Sequence, residues 1–512
     1  MKNRIKNGAK AAGMLVALAG FAVDAKAQVR LWNAPLSGNW NVPANWTVGD
    51  VPDTSAESAS IGPAGSYIVT LPSGYSPSIG TLDITNAGVE VLRADNGALY
   101  LTTALTNNGL LRINNGAGGN ATALRSLGNV VLSGSGTLRL QSTSNLDTAF
   151  MQWNSNPGAE YFTQNAGHSI RGSGNIYARL DNAGLVDADV AGSTLQFTSQ
   201  NKNNSGTMRA SNGILAITGV AVTQTGPGTI SSTGGTVNFN SATVVGGSVS
   251  NAGGSVNTAS GTTDFSSVTK TGSLQVADNT ALRISGGSLN NSGDILVNTG
   301  VGGNVAAVRA FNAAQTLSGP GTIVLQATSN LDTAIIQWNS NPGAETFVQA
   351  QGHTIRGTGN IYTVLANSGI VNADQNTKLL QLLSQNKSNT ATGIYRASNG
   401  GTLVINTVTV TNSGVVEALT GSTVLLSNGS IVGGTLNASG SGVFSTVGTS
   451  GINLLTNNAP IQVADNSILV SSTGSLVNNG TITINNGGGN ATSFRAFGGA
   501  VTLNGTGSVI LN

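Results

Sequence analysis

The sequence predicts an all-β protein wound as a parallel β-helix, a solenoid of roughly 21-residue coils. Three observations carry that prediction. A long stretch, LQSTSNLDTAFMQWNSNPGAEYFTQNAGHSIRGSGNIYARL at 140–180, returns as LQATSNLDTAIIQWNSNPGAETFVQAQGHTIRGTGNIYTVL at 325–365, so Trp153 matches Trp338 at a shift of 338 − 153 = 185. A short phrase, Asn-x-Gly followed by alternating apolar and polar residues, recurs through both blocks. From Gly184 its glycines step by 22, 22, 19, 25 and 21 residues. From Gly369 they step by 24, 21, 20, 25 and 21, with Ala459 in the fifth place. Finally, glycine occurs 71 times while charged residues make up only 8% and aromatics 4%.

Period-2 alternation specifies strands, and the recurring glycine supplies a positive φ or a tight corner. A unit this short cannot bury its own apolar face, but stacked on its neighbours it can. Three short strands and three turns per coil fit the length, with Leu, Ile, Val and Ala inward and Asn, Ser and Thr laddering at equivalent corners. At a strand spacing of ~4.8 Å, about twenty coils give a rod on the order of 100 Å long. Antiparallel sandwiches would place turns nearer every ten residues and are the weaker fit. The composition is neither a collagen triplet nor a charge-rich disordered chain, and 39% hydrophobic residues suffice for a core spread thinly along a solenoid.

In chain order, residues 1–27 read as a signal peptide. They have a basic start, an apolar run at 11–23 and a small-residue Ala25-Lys26-Ala27 site before Gln28. The run is shorter than the ~20 residues a membrane span needs. Lys2, Arg4, Lys6, Lys10 and Lys26 against Asp24 place +4 there, so the formal +2 of the chain leaves 2 − 4 = −2 for the rest. That near-neutral remainder has no electrostatic footprint for nucleic acid or anionic lipid, and no later stretch is apolar enough for stable membrane insertion. With no cysteine, disulfide frameworks and thiolate chemistry are excluded.

Residues 28–80 hold Trp32, Trp40 and Trp46 among prolines such as Pro35, Pro43, Pro52, Pro63 and Pro72 and read as an N-terminal cap that closes the first coil, in preference to a sugar-stacking site. Residues 81–512 form the solenoid. Within it, the stretch from Ser142 exceeds the needs of one coil and reads as an excursion turning at Asn156-Pro157-Gly158, and again at Asn341-Pro342-Gly343. A third block opens near NNGGGNATSFRAF and stops at Asn512, where each earlier block begins its excursion; the expectation is a longer natural chain or an open last coil.

Runs such as HTIRGTGNIYTVLANSGIVNAD, YRASNGGTLVI and GSIVGGTLNASGSG resemble the β-helical repeats of exported bacterial surface proteins. These include autotransporter passengers, filamentous-haemagglutinin-like adhesins and related repeat proteins of the PEP-CTERM-associated type. The opening NWNVPANW with VPD is similar to their lead-in. The resemblance implies a β-helix, export and a place on the outer cell surface or in the extracellular matrix of a biofilm. Neither a β-barrel translocator nor an Arg-bearing sorting tail is found in residues 28–512, so it speaks to architecture rather than attachment.

The best binding signal is Trp153 with Gln152 and Glu160, and its copy Trp338 with Gln337 and Glu345. An indole plate beside an amide and a carboxylate can hold a sugar ring by stacking and hydrogen bonds. Two weak sites on the order of 40 Å apart suit a long polymer through avidity. The plainer reading is that each Trp covers an apolar patch under its own loop. The chain is therefore expected to be a non-enzymatic structural or adhesive solenoid whose partner is extracellular polysaccharide or a host or neighbouring cell surface. The alternative is a polysaccharide lyase or glycoside hydrolase carried by Asp181, Asp187, Asp189 and His168. Against it, the second block replaces Asp181 by Ala366 and Asp187 by Asn372. The histidines, one per block, read as corner residues donating to a carbonyl, and Asp147 and Asp332 as turn caps. No metal site or cofactor is expected, because ligand spacing, a calcium nonapeptide and a Gly-Lys-Ser/Thr loop are all missing.

Overall fold

A computed structural model describes residues 28–485 and 488–512. The leader expected over 1–27 lies outside the described residues. The rest forms a parallel β-solenoid of about 20 turns, with coils about 22 residues apart. Each coil lays down three short strands, and each strand pairs in parallel with its equivalents one coil before and after. Three faces result. Face A runs through Thr194–Phe197, Ile214–Thr218 and Thr236–Asn240. Face B runs through Lys202–Asn204, Ala221–Gln224 and Thr243–Val245. Face C runs through Thr207–Ala210, Thr229–Ser232 and Ser248–Asn251. The strand Ser255–Thr271 bends round all three.

Alternation along each strand puts every second side chain inside, where identical positions stack. Leu195, Leu215, Val237 and Val256 form one such column. Chained together, these columns make a single apolar core from Trp32 to Ile484. No coil could bury that surface alone, so stability comes from neighbours.

The recurring phrase is a corner. Asn182 Oδ1 accepts from Gly184 N at 3.0 Å, Asn367 Oδ1 from Gly369 N at 3.0 Å, and Asn412 Oδ1 from Gly414 N at 3.1 Å. Its amide nitrogen then bonds to the next coil: Asn182 to Asn204 Oδ1 at 2.8 Å, Asn367 to Asn389 at 2.9 Å, Asn389 to Asn412 at 2.8 Å. These asparagines are buried, so each bond replaces a desolvation cost. At some of these corners the glycine has the positive φ considered above, as at Gly247, Gly272 and Gly434; at others it meets a different need. A Cβ on Gly206 would sit 2.3 Å from the Gly184 carbonyl oxygen, and one on Gly369 2.2 Å from that of His353. Neither residue has positive φ. Glycine is there because the coil beneath comes too close for any side chain.

Residues 28–80 join the same ladders: Gln28–Leu31 pairs with Glu57–Ile61, which pairs with Ser78–Ile84. The three tryptophans pack on this first coil edge to face, with ring centroids 5.1 and 4.9 Å apart. At 4%, 0% and 1% exposure their faces are closed to a sugar. Trp46 Nε1 donates to Trp40 O at 2.7 Å and Trp40 Nε1 to Pro52 O at 2.9 Å, so the buried indoles are satisfied.

Three inward positions carry lysine: Lys202, Lys387 and Lys270, whose Nζ donates to the carbonyls of Gly272 and Asp294 and to Asn291 Oδ1. Lys202 stands between Leu180 and Val222 in the column on face B, and Lys387 between Leu365 and Val410 on face C. The stems of these two fill the core, while Nζ of Lys202 donates to the carbonyls of Thr198 (3.2 Å) and Gln200, and Nζ of Lys387 to those of Leu383 (3.1 Å) and Gln385.

Asn389→Ala removes donated bonds to Gly393, Asn412 and Val415 and leaves the amide of Asn367 with its bond to Ile394 O alone. The expected cost is about 2 kcal/mol of local stability, read as roughly 30-fold faster hydrogen exchange of the amides at that corner and unchanged exchange several coils away.

Candidate functional site

The excursion departs from a protruding-loop picture. Phe150–Trp153 is itself a strand on face A, between Thr122–Ser126 and the end of Ser169–Ile176. The extra chain lies on either side of it. Before it, a 3-10 turn at Leu146–Thr148 is capped by Asn145, whose side chain accepts from Asp147 N at 3.0 Å. The Asp147 carboxylate instead reaches the next coil, accepting from Asn175 Nδ2 at 2.7 Å and from the Tyr177 hydroxyl. Asp332, Asn360 and Tyr362 repeat this arrangement. Burial, followed by the hydrogen bond to the adjacent carboxylate, pushes both phenols up to about 12. Each is a permanent donor near neutral pH.

After the strand, Glu160 organises the loop 154–159. Its carboxylate accepts from the main-chain amides of Asn154, Ser155 and Asn156 at 2.7, 2.6 and 3.0 Å, and from Ser155 Oγ at 2.9 Å. Burial alone would raise this carboxyl; the hydrogen bonds outweigh it and hold it below the usual range. Glu345 does the same for Asn339, Ser340 and Asn341 and also takes the amide of Asn312. The two glutamates are thus engaged by their own loops, pointing away from a role as open sugar acceptors.

Trp153 is half-buried and packs on the main core, while Trp338 lies edge to face with Tyr362 at 6.4 Å. Gln152 and Gln337 point outward, each beside an arginine of the preceding coil, Arg125 or Arg309. With its amide oxygen turned to the guanidinium, Gln337 accepts from Arg309 Nε at 3.0 Å. Around Arg125 the outer surface is aromatic: the guanidinium lies 5.9 Å from the ring centres of both Tyr100 and Phe150, and Tyr177 meets Phe150 edge-on at 5.8 Å. Sequence reading missed this face because its members come from four coils. The alternation that placed Leu99 and Met151 inward was the signal that Tyr100 and Gln152 point out.

No family model matches the sequence, and no curated protein matches it.

The two blocks present their sites to different sides. Starting at Phe150, eight steps along the ladder pass through Asn175, Gln196, Ala216, Asn238, Asn257, Gln275 and Leu296 to reach Val324. The block-equivalent of Phe150 is Ile335, which lies on the following strand, on face B. A block is therefore eight turns plus one face. Trp153 and Trp338 sit on neighbouring faces, so a straight polymer running along one face meets one of them.

The acidic residues of the alternative reading are paired with arginines, and Arg171 lies between Asp187 and Asp189, 3.9 Å from the latter. Asp187, fully buried, binds Arg209 at 2.8 Å and Arg171 at 3.5 Å. Asp189 binds Arg139 at 3.2 Å, and Asp181 binds Arg179 at 2.6 Å. Among the described residues no three of His, Asp and Glu gather closely enough to hold a metal ion. His168 differs from the corner donor expected: it is wholly buried and neither ring nitrogen has a protein partner. Its main-chain carbonyl does the bonding, accepting from Gln164 Nε2 at 2.8 Å.

Burial lowers both His168 and His353 to about 4, with Lys270 adding to the effect at His353. Between about 4 and the ordinary imidazole value of 6.5 the unfolded chain binds protons that the folded chain does not. Stability therefore falls as pH drops through 6.5 and the loss is complete near 4. Melting temperature against pH is expected to show this acid slope, and the pair H168Q/H353Q to flatten it.

Proposed function

We propose that the chain is an exported, non-enzymatic structural or adhesive solenoid of the bacterial surface or extracellular matrix, making multivalent contacts with glycans. A rod of stacked coils holds its surface groups at fixed spacings, so weak contacts add without further ordering cost. The observation that carries the reading is the repeated outer face, in which an outward amide, a half-buried tryptophan and a tyrosine whose hydroxyl is held by an aspartate recur one block apart. Such surfaces suit sugar rings, whose apolar faces stack and whose hydroxyls accept and donate. The pairing of Asp181, Asp187 and Asp189 with arginines also favours this reading over glycan cleavage, since a general acid needs a carboxyl free to keep a proton.

The test is binding of the protein to extracted exopolysaccharide, measured by affinity electrophoresis with and without W153A/W338A. The expected outcome is at least a tenfold loss in the double variant. Undiminished binding contradicts the assignment of these residues. Release of new reducing ends, abolished by D187N/D189N, favours the lyase or hydrolase alternative instead.

A further inference from the structure

Of the thirteen arginines among the described residues, nine are ion-paired with a carboxylate. A tenth, Arg93, is fully buried and donates to the main-chain carbonyls of Leu71, Pro72 and Tyr75. The remaining three are Arg125, Arg309 and Arg495, which hold equivalent places in the three blocks. Arg125 has no hydrogen-bond partner for its buried Nε, Arg309 stands between Arg283 and the Gln337 amide, and Arg495 donates to Ser493 Oγ at 2.8 Å. The acid leading into each groove is occupied elsewhere by a matching clasp. The main-chain amide and side chain of Asn120 bond Asp95 at 2.9 and 2.8 Å, and Asn304 bonds Asp278 at 2.8 and 2.8 Å. Asn490 bonds Asp465 at 2.8 and 2.5 Å.

Each arginine lines a groove or an outward row. Arg125 stands over the small side chains Ala98 and Ala123, between Tyr100 and Phe150, in a groove of about 170 Å³. Arg495 lines one of about 460 Å³ with Val470 and Phe497. Arg309 is in the outward row with Arg283, two residues along from the paired Ala281 and Ala307. The three do not share a face. Eight steps from Ala123 lead to Leu296, whereas the equivalent Ala307 is on the next strand, on face B. Eight steps from Ala307 lead to Thr483, whereas the equivalent Ser493 is on the next strand, on face C.

We propose that Arg125, Arg309 and Arg495 bind the carboxylates of an acidic polysaccharide, and that their placement on three successive faces makes the rod a cross-linker of separate polymer chains. The inference rests on the glycan-binding reading and gives it a ligand class. A guanidinium free of carboxylate is matched by a planar anion, which it can take through two parallel hydrogen bonds. Beside Arg125, the rings of Tyr100 and Phe150 offer the apolar surface that a sugar's C–H face covers. Successive sites are ~40 Å apart along the axis, and because each looks out on a new side, a chain bound at one leaves the others for its neighbours.

Polygalacturonate is the probe, dextran its neutral counterpart and single-stranded DNA the competing polyanion. Wild type is expected to bind polygalacturonate in preference to dextran and DNA, with affinity falling as salt rises, and to raise the viscosity of a dilute solution. R125Q/R309Q/R495Q is expected to lose at least tenfold in affinity with an unchanged melting temperature. R125K/R309K/R495K is expected to retain part of the binding. R396Q, whose guanidinium is already held by Glu417 at 2.6 Å, is expected to behave as wild type. Double variants that keep one arginine are expected to bind without raising viscosity. Equal binding by the triple glutamine variant, equal viscosity from a one-arginine variant, or tighter binding of DNA overturns the proposal. If binding is lost in W153A/W338A but indifferent to the arginines, this inference falls and the proposed function stands; if no glycan binds, both fall.

Discussion

The fold depends on how closely one coil can lie on the next at its corners. The Asn-x-Gly phrase solves this with two residues. The asparagine oxygen closes its own turn, and the asparagine nitrogen reaches along the axis, from Asn367 to Asn389 and on to Asn412. The glycine leaves out the one atom that would collide with the carbonyl below, as at Gly414 over Gly393, where a Cβ would come within 2.3 Å. With the corners fixed, strand register follows, and with register the inward columns align into one core. Every outward feature inherits its spacing from that contact.

Much of this was legible in the sequence because it is periodic. The glycine steps gave the coil, the alternation gave inside and outside, and the polar corners implied the ladders. What escaped was whatever depends on the coil beneath. Positive φ accounts for Gly247, Gly272 and Gly434, while the clash that requires glycine at Gly206, Gly369 and Gly414 shows only in the stacked backbone. The inward Lys202 and Lys387 were overlooked although Gln-Asn-Lys recurs at 200–202 and 385–387 with Lys at an apolar position of the alternation. Glu160 and Glu345 looked like ligand contacts because nothing in the local sequence shows three main-chain amides converging on each.

The rotation of blocks between faces was within reach of arithmetic. Eight coils of about 22 residues take up 176 of the 185 in a block, leaving 185 − 176 = 9, about one strand and its corner. Using a coil of 21 hides this remainder. Its consequence is functional: duplication by a whole number of turns would have built a stripe along one side, while duplication by eight turns and a face distributes the copies around the rod. A stripe suits lengthwise capture of one polymer; a distributed set suits joining several.

The central claim is that successive coils stack in register along one axis, so distance grows with the number of coils and not with chain length. The absence of cysteine allows clean paired spin labels. On one ladder, Gln196 and Gln275 are four coils apart, and Gln196 and Asn437 eleven. Electron–electron distance measurements are expected to give narrow distributions near ~19 Å and ~53 Å, in the ratio of the coil counts. Broad distributions, or a second distance that fails to scale with the first, would contradict the account.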